Sequence, residues 1–306
     1  MFEEKAPITY YRVSEKSVTP VHGAIIGESR WSLFVNSIEV VTFMATSRNL
    51  HHLALGFLAS ENLIHGLEEI ASIRVQEAAD RVYWFIPALG VNETRKTAPC
   101  EGGVGAIEVR LTRNDFRLPP HRTLTSGCAG GVTFDDLSKE QTPLDSKRTM
   151  RPAQILAMMR ELNHRAMLYR ECRGVHTSAL SDGEQLLALA EDVGRHNTLD
   201  KIRGDCMMRG VSTDDQMLIT TGRISSEMIT KAAKMRTPIV VSRTSPTHLA
   251  MQLARAWNIT LIGYARGGEM QVYTGMERIV LTTNDEGRRT EDEGRRTEDE
   301  SEYDFS

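Results

Sequence analysis

Short apolar runs alternate, in the second half of the chain, with segments whose apolar residues recur at helical spacing. After a run at 176–180 and a turn at Asp182-Gly183, the pattern predicts strands at 184–190, 217–221, 238–242, 259–264 and 270–274. Helices are predicted at 195–208, 225–236 and 247–257. Strands alternating with helices of this length imply a largely parallel, helix-covered sheet. The first half reads differently. Leu33-Phe34-Val35, a turn at Asn36-Ser37 and a β-branched run over 38–43 predict a hairpin. Leu50, Leu53, Ala54, Phe57 and Leu58 then follow one helical face ending near Asn62, with Ser47 placed to cap it. Further strands are predicted at 70–75, 81–86 and 105–111. Pro119, Pro120, Gly127, Gly130 and Gly131 mark a loop too rich in turn formers for regular structure. Pro152 suits the first turn of a helix over 153–168.

These patterns divide the chain into an N-terminal extension (1–30), a smaller β-rich α+β part (31–115), a loop and linker (116–150), an α/β domain (151–284) and a tail (285–306). The tail carries ten acids and four arginines, and Glu286-Gly287-Arg288-Arg289-Thr290-Glu291-Asp292 repeats at once over 293–299. With no apolar residue in either copy it has nothing to bury, so disorder is expected there. The tail contributes −6 of charge against −4 for the whole chain, which leaves the body slightly basic. Forty per cent hydrophobic and 25 per cent charged residues describe an ordinary soluble globular protein. No apolar stretch is long enough to span a bilayer and the chain begins with acids, so a cytoplasmic location is expected, with no membrane partner. Neither a nucleic-acid partner nor a metal site is indicated. Cys100, Cys128, Cys172 and Cys206 are widely spaced, without the pairing that a disulfide framework or structural zinc requires. Cys206 lies on the apolar face of its helix and is expected in the core.

Chemistry concentrates where predicted strands end. Glu191-Asp192-Val193-Gly194-Arg195-His196-Asn197 joins strand 184–190 to the next helix, with Asp200 and Lys201 following. Asp192 is placed to cap that helix, whose first N–H groups favour an anion. A polar helix start with a buried, satisfied histidine is the plainer account, but so many functional groups around one glycine favour a site. Three more strand ends resemble it: Gly222-Arg223 with Ser225, Ser242-Arg243, and Tyr264-Ala265-Arg266-Gly267-Gly268-Glu269. Four loops, each with an arginine, would meet at one edge of an open α/β sheet. Guanidinium forks and helix-start amides complement phosphate oxygens, so a nucleotide diphosphate is the expected ligand. Cys128 stands apart in a glycine-flanked loop, which suits a reachable thiolate and equally a loop cysteine without a role.

At these residues the chain resembles the FdhD/NarQ family, the accessory sulfurtransferases of formate dehydrogenase. The resemblance covers roughly positions 30 to 275 and includes Glu191-Asp192-Val193-Gly194-Arg195-His196-Asn197 with Asp200-Lys201. It recurs in Ala54-Leu55-Gly56-Phe57, Ser60-Glu61, Ser126-Gly127-Cys128, Thr221-Gly222-Arg223 with Ser225 and Glu227, and Val272-Tyr273-Thr274. It implies a cytidine-deaminase-like three-layer α/β/α domain in the second half. It also implies binding of the molybdenum bis(guanine dinucleotide) cofactor as cargo, with guanosine diphosphate as a mimic. Residues 264–269 fall on a cofactor-proximal family segment, from which Tyr264, Gly267 and Glu269 depart. Cys128 aligns with the family's sulfur acceptor, whereas Gly131 stands where some members have a second cysteine. The function so implied is transfer of sulfur from a cysteine desulfurase to molybdenum or tungsten in that cofactor, through a Cys128 persulfide, for formate dehydrogenase. A homodimer is implied as well. A cofactor-binding chaperone without sulfur chemistry is the alternative. A zinc hydrolase of the deaminase type lacks the cysteines it would need.

Overall fold

The computed structural model describes residues 4–76, 81–87, 91–96, 105–119, 123–124, 132–133 and 141–281, with the backbone path alone for 81–84, 91–96, 123–124 and 132–133. The chain opens on an antiparallel hairpin of β1 (Lys5–Ser14) and β2 (Ser17–Ile26). A first mixed sheet follows, built from β3 (Ser29–Val35), β4 (Ile38–Ala45), β5 (Ile70–Gln76), β6 (Arg81–Ile86), β7 (Val91–Lys96) and β8 (Gly105–Leu111), in the order β4-β3-β8-β5-β6-β7. Asn36 and Ser37 form the turn between β3 and β4, both with positive φ, as a two-residue hairpin turn demands. Trp31, Leu33 and Val35 alternate with less buried neighbours, and so do Ile107, Val109 and Leu111. That alternation buries one face of the sheet, against which α1 (Leu50–Ser60) packs. Asn49, in the left-handed region, precedes α1; Ser47 does not cap it. Leu50, Leu53, Ala54, Leu55, Phe57 and Leu58 are all buried, because α1 is covered on both sides.

Two short strands, β9 (Thr123–Leu124) and β10 (Val132–Thr133), pair antiparallel. The segment joining them carries Cys128 and lies outside the described residues, as do Cys100 and the acidic repeat.

The second sheet comprises β11 (His176–Ser181), β12 (Leu186–Asp192), β13 (Met217–Thr220), β14 (Ile239–Ser242), β15 (Thr260–Arg266) and β16 (Glu269–Thr274), in the order β12-β11-β13-β14-β15-β16. One face packs on α2 (Pro152–Arg165) through Ile155, Met159 and Leu162 against Met217, Ile219, Ile239, Val241 and Ile262. The other carries α4 (Arg195–Arg209), α5 (Ser226–Lys234) and α6 (His248–Ala256) against Leu180, Leu218, Val240 and Leu261. Successive residues of β13 and β14 therefore enter opposite cores, which explains their unbroken apolar runs. The expected parallel sheet is a mixed one. Only β13, β14 and β15 are parallel neighbours, because tight turns join β11 to β12 and β15 to β16 and so force antiparallel pairing. The helix predicted over 153–168 also breaks, at Ala166, and restarts as α3 (Met167–Cys172). Cys206 is in the core, and burial with nearby Asp205 pushes its thiol up to about 12. Among the described residues no helix is long and apolar enough to cross a membrane.

The two halves meet where α1 crosses α4. A methyl group on Gly56 would overlap the backbone oxygen of Asp200, and one on Gly204 would overlap the backbone oxygen of His52. The glycines let the two helix backbones touch. His51 and His52 stack edge to face in this junction, with ring centroids 4.2 Å apart. Burial, then His52 and Lys201, lower the His51 imidazole to about 3. A base that is neutral when folded and protonated when unfolded loses stability as pH falls from its unfolded value near 6.5 towards 3. The unfolding free energy from urea titration should thus drop between pH 7 and pH 5, by up to about 1.4 kcal/mol per pH unit from this ring. His51→Gln should flatten that slope. An unchanged slope would show that other groups set the acid sensitivity.

Candidate functional site

Because β11 lies antiparallel between them, β12 and β13 run the same way, as do β14 and β15. Their four carboxyl ends share one edge. Three of them lead into helices: Gly194 precedes α4, Ser225 caps α5 by accepting from the Met228 N–H, and Thr247 caps α6 by accepting from the Ala250 N–H. Side chains from these loops interlock. An ideal Cβ on Gly222 would sit 3.1 Å from the Arg195 Cβ and 3.2 Å from the His176 Nδ1. Ser242 Oγ donates to the Gly222 carbonyl at 2.6 Å, and the Arg243 N–H donates to the Thr220 carbonyl at 3.2 Å. Arg243 Nη1 also donates to Asn163 Oδ1 at 3.1 Å, which ties the end of α2 to the edge. His196 Nε2 lies 3.2 Å from Ser225 Oγ and 3.4 Å from Glu227 Oε2. The Tyr264 N–H donates to the Thr244 carbonyl, and Tyr264 holds a positive φ of 49°, a strained conformation for its type.

The field at this edge is positive. Burial and the Arg195 charge are the first causes that lower both His176 and His196, the latter well below the ordinary range. Both imidazoles are therefore neutral near pH 7. Arg195 and Arg223 stay beside them, with Arg223 exposed to solvent.

The predicted residues separate into two groups. Arg195, His196, Gly222, Arg223, Ser225, Ser242, Arg243 and Tyr264 belong to the strand-end edge. Arg266 ends β15 on the same edge, 5.7 Å over the Tyr264 ring. Gly267 and Gly268 form the exposed β15–β16 turn, where φ values of 64° and 93° require glycine. Glu269 pairs with Arg266 in register and is exposed, so its carboxylate is free to face water. The Ala265 side chain is buried in the core on the α2 side, which leaves only its backbone to the edge.

Asp192 and Asn197 face the junction between the halves. Asp192 does not cap α4. One carboxylate oxygen accepts from the Gly194 N–H and Asn197 Nδ2, each at 2.9 Å. The other accepts from Thr46 Oγ1 at 2.9 Å, the Thr46 N–H at 3.2 Å and the Lys201 ammonium. Asn197 Nδ2 also donates to the Met44 carbonyl at 2.9 Å. Glu191 accepts from the Leu168 and Tyr169 N–H groups and so caps α3. Asp200 accepts from Lys231 at 2.7 Å and from Ser60 Oγ at 2.9 Å. Burial pulls the Lys231 ammonium down, but Asp200, Glu61 and Glu227 outweigh it and hold it above its ordinary value. Much of the acidic and amide content of the signature thus fastens the first half to the second. His176 and Asn163, both at the edge, escaped sequence reasoning; only the antiparallel direction of β11 would have revealed His176. Cys128 is outside the described residues.

Comparisons with known proteins agree along nearly the whole body. A profile of the FdhD/NarQ family matches residues 26–280. The sulfur carrier protein FdhD of Bacillus subtilis (strain 168) is 34% identical over 272 residues, 88% of this chain and 95% of that protein. The sulfur carrier protein FdhD of Staphylococcus aureus (strain MRSA252) is 34% identical over 253 residues, 81% of this chain and 86% of that protein. The crystal structure of a candidate formate dehydrogenase accessory protein from Desulfotalea psychrophila superposes with a TM-score of 0.66 at 23% identity, covering 91% of this chain and all of that one. The extent of the profile match and the identities to curated relatives decide the matter: the chain belongs to the FdhD/NarQ family.

Proposed function

We propose that this protein carries sulfur for the maturation of formate dehydrogenase, taking it from a cysteine desulfurase and delivering it to the molybdenum or tungsten of a bis(guanine dinucleotide) cofactor. The observation that carries the reading is the strand-end edge. Arg195, Arg223, Arg243 and Arg266 stand at the ends of four co-directed strands, three of which feed helix starts, in a chain whose relatives are named sulfur carriers. Such an edge suits the diphosphate of a nucleotide arm. Cys128 accepts sulfur when its thiolate attacks the outer sulfur of the desulfurase persulfide and the desulfurase thiolate leaves. Gly131 offers no second thiol in the same loop, so the relay uses one cysteine. The helix–sheet–helix order of the second half supports a cytidine-deaminase-like assignment within this reading, and a homodimer belongs to it as well.

Incubation with a cysteine desulfurase and L-cysteine, followed by intact mass, tests the carrier. Wild-type protein should gain one sulfur, Cys128→Ser none, and Cys206→Ser should gain one as before. In parallel, guanosine diphosphate should bind in calorimetry and Arg223→Ala should weaken it at least tenfold. If Cys128→Ser still restores formate dehydrogenase in cells lacking the native accessory protein, a chaperone role without sulfur transfer replaces this reading.

A further inference from the structure

His176 begins β11, and because that strand runs against its neighbours its imidazole lies where β12 and β13 end. Its backbone is pinned there. The Thr177 N–H donates to Thr221 Oγ1 at 3.0 Å, and the Thr221 N–H returns a bond to the Thr177 carbonyl at 2.9 Å. Gly222 lets the imidazole and the Arg195 side chain close on each other, since even a methyl there would press on both, and its own N–H and carbonyl are bonded to Thr220 Oγ1 and Ser242 Oγ. The charged and titratable groups acting on the ring are Arg195 and His196 from α4, Asp192 from the end of β12 and Arg223 from the loop after β13. Neither ring nitrogen has a hydrogen-bond partner among the described residues, and the ring is half-buried. His196, by contrast, already meets Ser225 and Glu227.

A half-buried imidazole with no partner on either nitrogen among the described residues, beside the Arg195 and Arg223 guanidinium groups, has its complement in an anion. We propose that His176 is the proton-coupled member of the diphosphate site: as a nucleoside diphosphate settles against Arg195 and Arg223, the imidazole takes up one proton and becomes a further cation on the ligand. This rests on the nucleotide reading above and adds a residue and a pH dependence to it. In the free protein, burial and the two arginines keep the ring neutral, and Asp192 offsets them only in part. A bound diphosphate cancels the arginine field and adds acceptors within reach of a ring N–H, so the protonated form is favoured only in the complex. By linkage, affinity then rises as pH falls through the bound-state range, by up to about tenfold per pH unit, and levels off once the free ring also protonates. Cargo would be held more tightly in mildly acid conditions and released as pH rises.

Guanosine diphosphate mannose is the probe of choice, because its diphosphate is a diester with no group titrating near neutrality. Full-length protein is titrated by calorimetry at pH 7.5, 6.5 and 6.0, in pairs of buffers with different heats of ionisation. Wild type should take up a measurable fraction of one proton at pH 6.5 and bind roughly three- to tenfold more tightly at pH 6.0 than at pH 7.5. His176→Gln should lose both the proton uptake and the rise in affinity toward acid pH; His176→Asn serves if the glutamine variant does not fold. Binding without proton exchange in wild type overturns the inference and leaves the nucleotide site standing. Uptake that persists in both His176 variants and vanishes in His196→Gln overturns the assignment to His176. Failure of wild type to bind the probe at any pH overturns the nucleotide reading itself.

Discussion

Lys201→Met should lower stability by about 3–5 kcal/mol, a loss large enough to bring a protein of ordinary stability close to unfolding. Lys201 is 2% exposed and Asp192 is fully buried. Removing the ammonium leaves a buried carboxylate that still accepts from Thr46, Gly194 and Asn197 but has lost its counter-charge. Methionine restores most of the volume, so the cost is electrostatic and not that of a cavity. A double variant separates the two. Lys201→Met with Asp192→Asn removes the uncompensated carboxylate and should be more stable to urea than Lys201→Met alone. A double variant no more stable than the single one would mean that packing of the lysine stem, and not the pair, holds the junction.

The same pair shows what sequence can and cannot disclose. Met217-Leu218-Ile219 and Ile239-Val240-Val241 announce strands buried on both faces, and Asn36-Ser37 announces a hairpin, because both signals are local. Strand direction is not local. The His176–Ser181 strand looks the same whether it runs with or against its neighbours, yet its direction decides whether His176 reaches the strand-end edge. The hairpin of β1 and β2 left no pattern either, since almost every residue in it is exposed and no burial period arises. At the signature, clustering of charge and amide groups was legible and its division of labour was not. Arg195 and His196 face the edge, whereas Asp192, Asn197, Asp200 and Lys201 bind Thr46, Met44 and Ser60, more than a hundred residues earlier. Partners at that distance leave no trace in spacing, so residues that join the two halves and residues that line the strand-end edge read as one motif.

Gly204→Ala should be nearly as damaging as loss of Lys201, although it adds one methyl group. In most helices this change is mildly stabilising, because alanine has the higher helix propensity by roughly 1 kcal/mol. Here the added carbon would overlap the backbone carbonyl of His52, and Gly56→Ala would meet the carbonyl of Asp200 in the same way. Neither obstacle is the movable end of a side chain. Relief requires α1 and α4 to separate along their contact, which would strain the Ser60–Asp200 bond and the reach of Lys201 to Thr46. Overpacking of this kind typically costs about 1–3 kcal/mol, and rigid backbone on both sides places it at the upper end. Thermal unfolding should show Gly204→Ala several degrees below wild type, and the double variant Gly56→Ala with Gly204→Ala should lose less than the sum of the two, because one separation of the helices relieves both clashes. Gly210→Ala, whose Cβ would meet nothing within 4 Å, isolates the backbone term, since Gly210 ends α4 with a φ of 65°. A Gly204→Ala protein as stable as wild type would mean that the helices have room to part, and that the charged pairs alone set the distance between the two halves.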